Sequence, residues 1–201
     1  FDLATSTKIG YGAVTVHGDY IYALSAHACP VGVPCAALDV LLLQDAEIVR
    51  VHSLPLPPTR SITYAHGYLF VGLRASSMDP EFQVFSLENP ELPVQVGSAE
   101  IGSTVNDIVS NGSTVYIATA DNSIAGDRAV MAFPLSSFNA SMQASMQARP
   151  PGAGISQTLA LSGEVLYIGR SAPLNSKELY LLSATNLGEE LSSRDIDSSV
   201  Y

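Results

Sequence analysis

The chain has no tryptophan, two cysteines, and nine lysines and arginines against nineteen acids in 201 residues, a formal net charge of −10. Each shortage closes off a class of function. Neutralising nucleic-acid phosphates takes clustered cations, and these nine are scattered, so no nucleic acid is expected as a partner. No apolar run approaches the ~18 to 20 residues of a membrane-spanning helix, and Leu38 to Leu43 has the length of one buried strand. The start lacks a basic region followed by an apolar core, so no uncleaved signal peptide is expected. Catalytic signatures are missing as well: there is no Gly-x-Ser-x-Gly elbow, no His-Glu-x-x-His, no phosphate-cradling glycine loop and no Asp-x-Asp-x-Asp-Gly calcium loop. No segment offers three clean turns of helical periodicity.

What is present is a repeat. Gly18, Gly67, Gly112 and Gly163, roughly 48 residues apart, each precede a strand of one flavour. These strands are Tyr20-Ile-Tyr-Ala-Leu, Tyr68-Leu-Phe-Val-Gly, Val115-Tyr-Ile-Ala and Val165-Leu-Tyr-Ile-Gly. Each unit has room for four strands; in the second they are expected at Ser61 to Ala65, Tyr68 to Leu73, Glu81 to Leu87 and Val94 to Ile101. Four-stranded units at a fixed period predict an all-β chain, a β-propeller of four-stranded antiparallel blades. The expected blades are 11–58, 59–102, 103–152 and 153–201, all in one domain, with 1–10 as the outer strand of a preceding blade. The last unit also carries its own outer strand, Leu187 to Ile196, one too many for a simple four-blade ring. Either that strand is displaced or the chain is an arc of a larger propeller, and the initial Phe1 favours the arc. An open arc would expose its end blades to more of the same chain or to a neighbouring subunit.

Phe82-Gln-Val-Phe-Ser-Leu-Glu-Asn-Pro-Glu-Leu-Pro-Val-Gln-Val-Gly97, followed by Ile101-Gly102, Ile108-Val109 and Tyr116-Ile-Ala, resembles the LVIVD-type β-propeller repeat of secreted and surface proteins. The Asn-Pro turn stands only in the second unit. The resemblance implies a fold and an extracellular or cell-surface setting, with the periplasm as the bacterial equivalent. It implies no catalytic residues and no cofactor.

In that setting Cys29 and Cys35, within His27-Ala-Cys-Pro-Val-Gly-Val-Pro-Cys, are expected to close a small disulfide loop. The alternative is a metal site with His27 as a third ligand, but no further Cys or His pair completes a tetrahedral set. His17 and His66 both precede a turn glycine, where the other units have Asn111 and Ser162, and so read as turn residues. His52 reads as a solvent-facing strand residue.

A binding surface belongs where loops vary while strands repeat. The second-to-third strand connections, Ser25 to Ala37, Ala75 to Pro80, Ala120 to Arg128 and Ser171 to Ser176, share no sequence. Their candidate residues are His27, Arg74, Asp79, Asp121, Asn122, Asp127, Arg170 and Lys177. Arg74 and Arg170 stand near the ends of second strands, where they would meet an acidic group or simply solvent. Asp121 to Asp127 offers oxygens to a hard cation such as calcium, and a polar turn accounts for the same residues. Sequons at Asn111 and Asn139 would accept glycans in a cell with the machinery. The tandem Ala140-Ser-Met-Gln and Ala144-Ser-Met-Gln reads as an outer-strand extension, or else as a helical turn.

The expected function is non-catalytic: adhesion or assembly through the loop face or blade edges, with another protein, a neighbouring subunit or a surface polymer as partner. A ligand-binding or enzymatic propeller with its site at the channel mouth is the alternative. A glycan-binding lectin would want aromatic platforms, and these loops contain no Tyr or Phe.

Overall fold

A computed structural model describes residues 10–26, 36–76, 78–120, 129–136, 138, 142–148, 150, 154–171 and 177–196. They form four antiparallel four-stranded sheets. The first contains β1 (Gly10–His17), β2 (Tyr20–Ala26), β3 (Ala36–Gln44) and β4 (Glu47–Leu56). The second contains β5 (Thr59–Ala65), β6 (Tyr68–Leu73), β7 (Phe82–Ser86) and β8 (Val94–Ala99). The third contains β9 (Val105–Ser110), β10 (Thr114–Thr119), β11 (Val130–Pro134) and β12 (Met146–Ala148). The fourth contains β13 (Ile155–Ser162), β14 (Val165–Ser171), β15 (Leu179–Ser183) and β16 (Glu190–Arg194). In each sheet the strands lie side by side in chain order. Gly10, assigned from the sequence to a preceding unit, begins β1. Among the described residues no helix is long and apolar enough to cross a membrane. Of the tandem repeat, Met146 and Gln147 of the second copy lie in β12, which pairs with β11, while Met142 of the first copy is buried in the core between the second and third sheets.

The sheets stack face to face, which explains the near-continuous apolar second strands. In β6, Leu69, Val71 and Leu73 pack toward the first sheet, against Tyr22, Leu24, Leu38 and Val40. Phe70 points the other way and, with Phe82 and Val84, meets Val115, Ile117, Met131 and Phe133 of the third sheet. The third sheet's opposite face, Tyr116, Ala118 and Val130, meets Leu166, Ile168, Tyr180 and Leu182 of the fourth.

The repeat extends to irregularities. Every first strand bulges four or five residues before its end, at Gly12, Arg60, Asn106 and Gln157. Such bulges bend and twist the strand that leads each sheet. Side chains then tie neighbouring first strands together. Thr15 Oγ1 accepts the Tyr64 N–H (3.2 Å), while Ser61 and Thr63 donate to the carbonyls of Val105 (3.2 Å) and Ile108 (2.8 Å). Asn106 Nδ2 donates to Ser156 O (2.8 Å), and Asp107 Oδ2 accepts Leu159 N–H (2.7 Å) and Thr158 Oγ1 (2.9 Å). Residue numbers rise together across β5–β9 and β9–β13, so these strands run parallel. The series β1, β5, β9, β13 is not closed: β13 and β1 lack the close stacking the other neighbours share.

The hairpin turns correct one sequence equivalence. Gly18 and Gly163 take the first turn position with φ of 58°, whereas Gly67 takes the second (φ 81°) behind His66 (φ 51°). His66 is therefore a left-handed turn residue of a type I′ pattern. His17 is instead the last residue of β1, with its ring stacked 4.1 Å from that of Tyr64. His52 pairs with Val40 on the face turned toward the second sheet, and it is half-buried.

Candidate functional site

The four second-to-third strand connections leave the sheets at one end, opposite the first-to-second hairpins. Much of this end, including Cys29, Cys35, His27, Asp121, Asn122 and Asp127, lies outside the described residues, as does Asn139. The expected disulfide, its three-ligand metal alternative and the calcium alternative to a polar turn at Asp121 to Asp127 therefore also lie outside the described residues. What is described is the floor on which those loops stand.

That floor is built from polar groups committed to backbone. Glu81, just before β7, is fully buried, and its Oε2 accepts the N–H groups of Ile101 (2.9 Å) and Gly102 (3.0 Å). Its Oε1 accepts the Ser76 N–H at 3.3 Å. The carboxylate thus pins the chain leaving β8 to the start of β7. The fourth sheet repeats the device: Glu178, just before β15, accepts the N–H of Ile196 beyond β16 at 2.8 Å. Beside Glu81, the Glu100 carboxyl is raised above its ordinary range, by desolvation first and then by the Glu81 charge.

The two arginines are not equivalent. Register aligns Gly72 with Gly169, so Arg170 corresponds to Leu73 and points into a core, whereas Arg74 is one residue further on and exposed. Arg170 is only 5% exposed; it donates from Nη2 to Gly154 O (3.0 Å) and lies over the Tyr180 ring, 5.2 Å from its centroid. Desolvation leads in raising the Tyr180 hydroxyl pKa. Arg170 therefore braces the floor, and Arg74 presents its charge to solvent; in the connection that follows, Met78 is exposed and Asp79 half-buried. Lys177 is exposed and bridges Ser193 and Glu190, the latter at 3.9 Å.

A cluster that sequence reasoning missed sits on the outer face of the first sheet. Asp39 is 1% exposed, with Oδ1 accepting Ser53 Oγ at 2.6 Å and Oδ2 accepting Tyr11 OH at 3.3 Å. Arg50 approaches Oδ2 at 3.9 Å. Burial, followed by the Asp39 charge, raises the Tyr11 pKa. The signal was a lone carboxylate inside the apolar run Leu38-Asp-Val-Leu-Leu-Leu.

Asn111 lies at the opposite end. Its Oδ1 accepts the Ser113 and Thr114 N–H groups (3.1 and 2.9 Å), and its Nδ2 donates to Tyr116 OH at 3.2 Å. The residue is exposed, so a glycan there would stand away from the loop end.

No family model matches the sequence, and no curated protein matches it. Solved structures do resemble the chain. The computationally designed Ika4 protein is 8% identical at a TM-score of 0.62, over 89% of this chain and 94% of that one. The computationally designed Ika8 protein is 8% identical at 0.57, over 92% of this chain and 61% of that one. The extracellular domain of BT4673 from B. thetaiotaomicron, assigned as a one-component system, is 9% identical at 0.60. That match covers 97% of this chain but 23% of the other. Identities this low carry the fold alone.

Proposed function

We propose that the chain is a β-propeller-type interaction module acting outside the cell, with the second-to-third strand loops as its partner-binding face. One observation carries this reading: the polar groups of the described floor are engaged in holding backbone, and the diversity of the chain is concentrated in the loops above them. Glu81, Glu178 and Arg170 each bond main-chain groups. A scaffold organised in this way fixes loop positions and leaves loop chemistry open. The meander sheets, their stacked first strands and their recurring bulges support blades around an axis. The phrase from Phe82 to Gly97, which covers β7 and the first four residues of β8, supports the LVIVD-type resemblance and the surface setting that goes with it. The partner is another protein or a surface polymer, met by loops of mixed acidic, apolar and amide character.

The test is loop replacement. Residues 27–35 and 121–128 are exchanged for Gly-Ser segments, separately and together, and binding to immobilised extracellular proteins and polysaccharides is compared with that of the parent chain. Ligands bound by the parent should be lost by the exchanged chains while thermal unfolding stays unchanged. Binding that survives both exchanges, or a turnover activity that survives them, would overturn this reading.

A further inference from the structure

Three times within the chain the same two faces meet. One face of a sheet presents the second-strand positions of Tyr22, Phe70 or Tyr116, and the next sheet covers it with the opposite face, at Leu69 and Val71, Val115 and Ile117, or Leu166 and Ile168. Among the described residues, two such faces are left over. The fourth sheet presents Tyr167, at the position of Tyr22, Phe70 and Tyr116, with Val165, Leu181 and the exposed Ala160 around it. The first sheet presents the opposite type of face, on which Val14 is 60%, Val16 61% and Ile48 61% exposed, with Ile21 and Leu43 between them. Apolar β-branched side chains this exposed on a sheet face are an aggregation hazard unless something covers them.

The internal interfaces say what fits. Where the second-strand aromatic is a tyrosine, its hydroxyl reaches the third-to-fourth connection of the covering sheet: Tyr22 donates to Pro90 O at 3.0 Å and Tyr116 to Ala184 O at 2.7 Å. Tyr167 has the same hydroxyl and no hydrogen-bond partner among the described residues. The matching acceptors are the carbonyls of the tight turn at 44–47, on a first sheet.

We propose that the fourth sheet of one copy stacks on the first sheet of a second copy, so that the chain associates head to tail through a fourth repetition of its own internal interface. The contact is heterologous, with different patches meeting on the two copies, and a pair of open arcs joined in this way closes a ring with both leftover faces buried. The Tyr167 hydroxyl then donates into the 44–47 turn of the second copy. Acids flank both faces near the turns (Asp19, Asp45 and Glu47 on one; Glu164 and Glu189 on the other), so salt strengthens the association.

The experiment measures solution mass by sedimentation equilibrium over a wide concentration range at high salt. The wild-type chain should rise from 21.1 kDa toward twice that mass. Val16→Asp on the first sheet and Ala160→Asp on the fourth should each weaken self-association on the order of a hundredfold, because each buries an unpaired charge in the contact. Both positions are solvent-exposed within one chain, so the melting temperature of either monomer should be unaltered. An equal mixture of the two variants should associate more tightly than either alone but less tightly than the wild type, because one of the two contacts in the mixed pair has both faces intact while the other carries both aspartates. A wild-type mass fixed at 21.1 kDa, variants that still associate, or a mixture that stays monomeric would each overturn the proposal.

Discussion

The second sheet and the first are written in the same phrase and end in opposite circumstances. In β6, Leu69, Phe70 and Val71 are all fully buried although successive side chains point to opposite faces, because a sheet lies on either side. In β1, Val14 and Val16 are as apolar as any core residue, yet both stand open to solvent. The difference lies in the neighbours. A stacked sheet gains stability from each face separately, and a sequence that prepares both faces is completed only where both are covered.

The largest effect that would sharpen this contrast is truncation inside the middle stack. Phe70 packs among Phe82, Phe138 and Tyr68, with ring centroids 6.2, 5.8 and 6.5 Å away. Phe70→Ala should cost about 3 to 5 kcal/mol in urea unfolding, whereas Val14→Ala on the open face of the monomeric chain should cost less than about 0.5 kcal/mol. Equal losses at the two sites would mean that the outer face of the first sheet is covered within the chain.

The carboxylate latches repeat the comparison for polar groups. Glu81→Ala would remove the acceptor of the buried Ile101 N–H together with those of Gly102 and Ser76, a loss of about 2 kcal/mol. The corresponding Glu178→Ala frees the N–H of Ile196, which is already exposed and turns to water, so about 0.5 kcal/mol is expected. Hydrogen exchange at residues 101 and 102 would show whether the loss is local to the latch.

How much of this was legible in the sequence depends on the range of the interaction. The strands of the second unit stand within two residues of their expected limits, because β-branched and aromatic runs bounded by His66-Gly67 and Asn89-Pro90 are local signals. Asn89 forms its turn through its own side chain, accepting the Glu91 N–H at 3.1 Å. The equivalence of His17 with His66 failed because two-residue turns place glycine first or second without altering the spacing a reader counts. Arg74 and Arg170 were matched by proximity to a strand end, but one residue of register sends successive side chains to opposite faces. Glu81 gave no signal at all, since its role depends on where the chain leaves β8, some twenty residues later. The loop chemistry at His27, Asp121 and Asp127 lies outside the described residues, so the partner face remains a reading of sequence above a floor that the structure explains.

A smaller effect separates two glycines at one repeat position. A Cβ on Gly72 would fall onto Ser61 Oγ and lie 2.7 Å from Val105 Cγ1 of the next sheet, so it is wedged between two sheets. Gly169 would meet only the Thr158 methyl, at 2.6 Å, on the open side of the fourth sheet. Gly72→Ala should therefore cost about 1 to 3 kcal/mol through overpacking, and Gly169→Ala less, because the exposed Thr158 can turn aside at the cost of its hydrogen bond to Asp107 whereas Val105 is held in a core. If head-to-tail stacking covers the fourth sheet, Gly169→Ala should also weaken association.

The smallest effect concerns the hydroxyls that join the sheets. Tyr22 is buried with its OH on Pro90 O, and desolvation pushes its pKa up to about 12. Tyr11, Tyr116 and Tyr180 are raised in the same direction, with burial as the leading cause. A tyrosine raised above its unfolded value of 10.0 holds its proton in the native state after the unfolded chain has lost it. For Tyr22 this contribution is whole below pH 10 and drains away as the pH climbs from about 10 toward 12, by at most about 1.4 kcal/mol per pH unit. Tyr22→Phe should lower stability near neutrality by about 1 kcal/mol, the value of one buried hydrogen bond, and should flatten the alkaline decline measured by unfolding between pH 9 and pH 12. Tyr167→Phe, at the same repeat position on the fourth sheet, removes no hydrogen bond to any described residue and should leave the stability of the single chain unchanged. Should the two substitutions cost the same, Tyr167 is already docked within its own chain and the two end faces are not open.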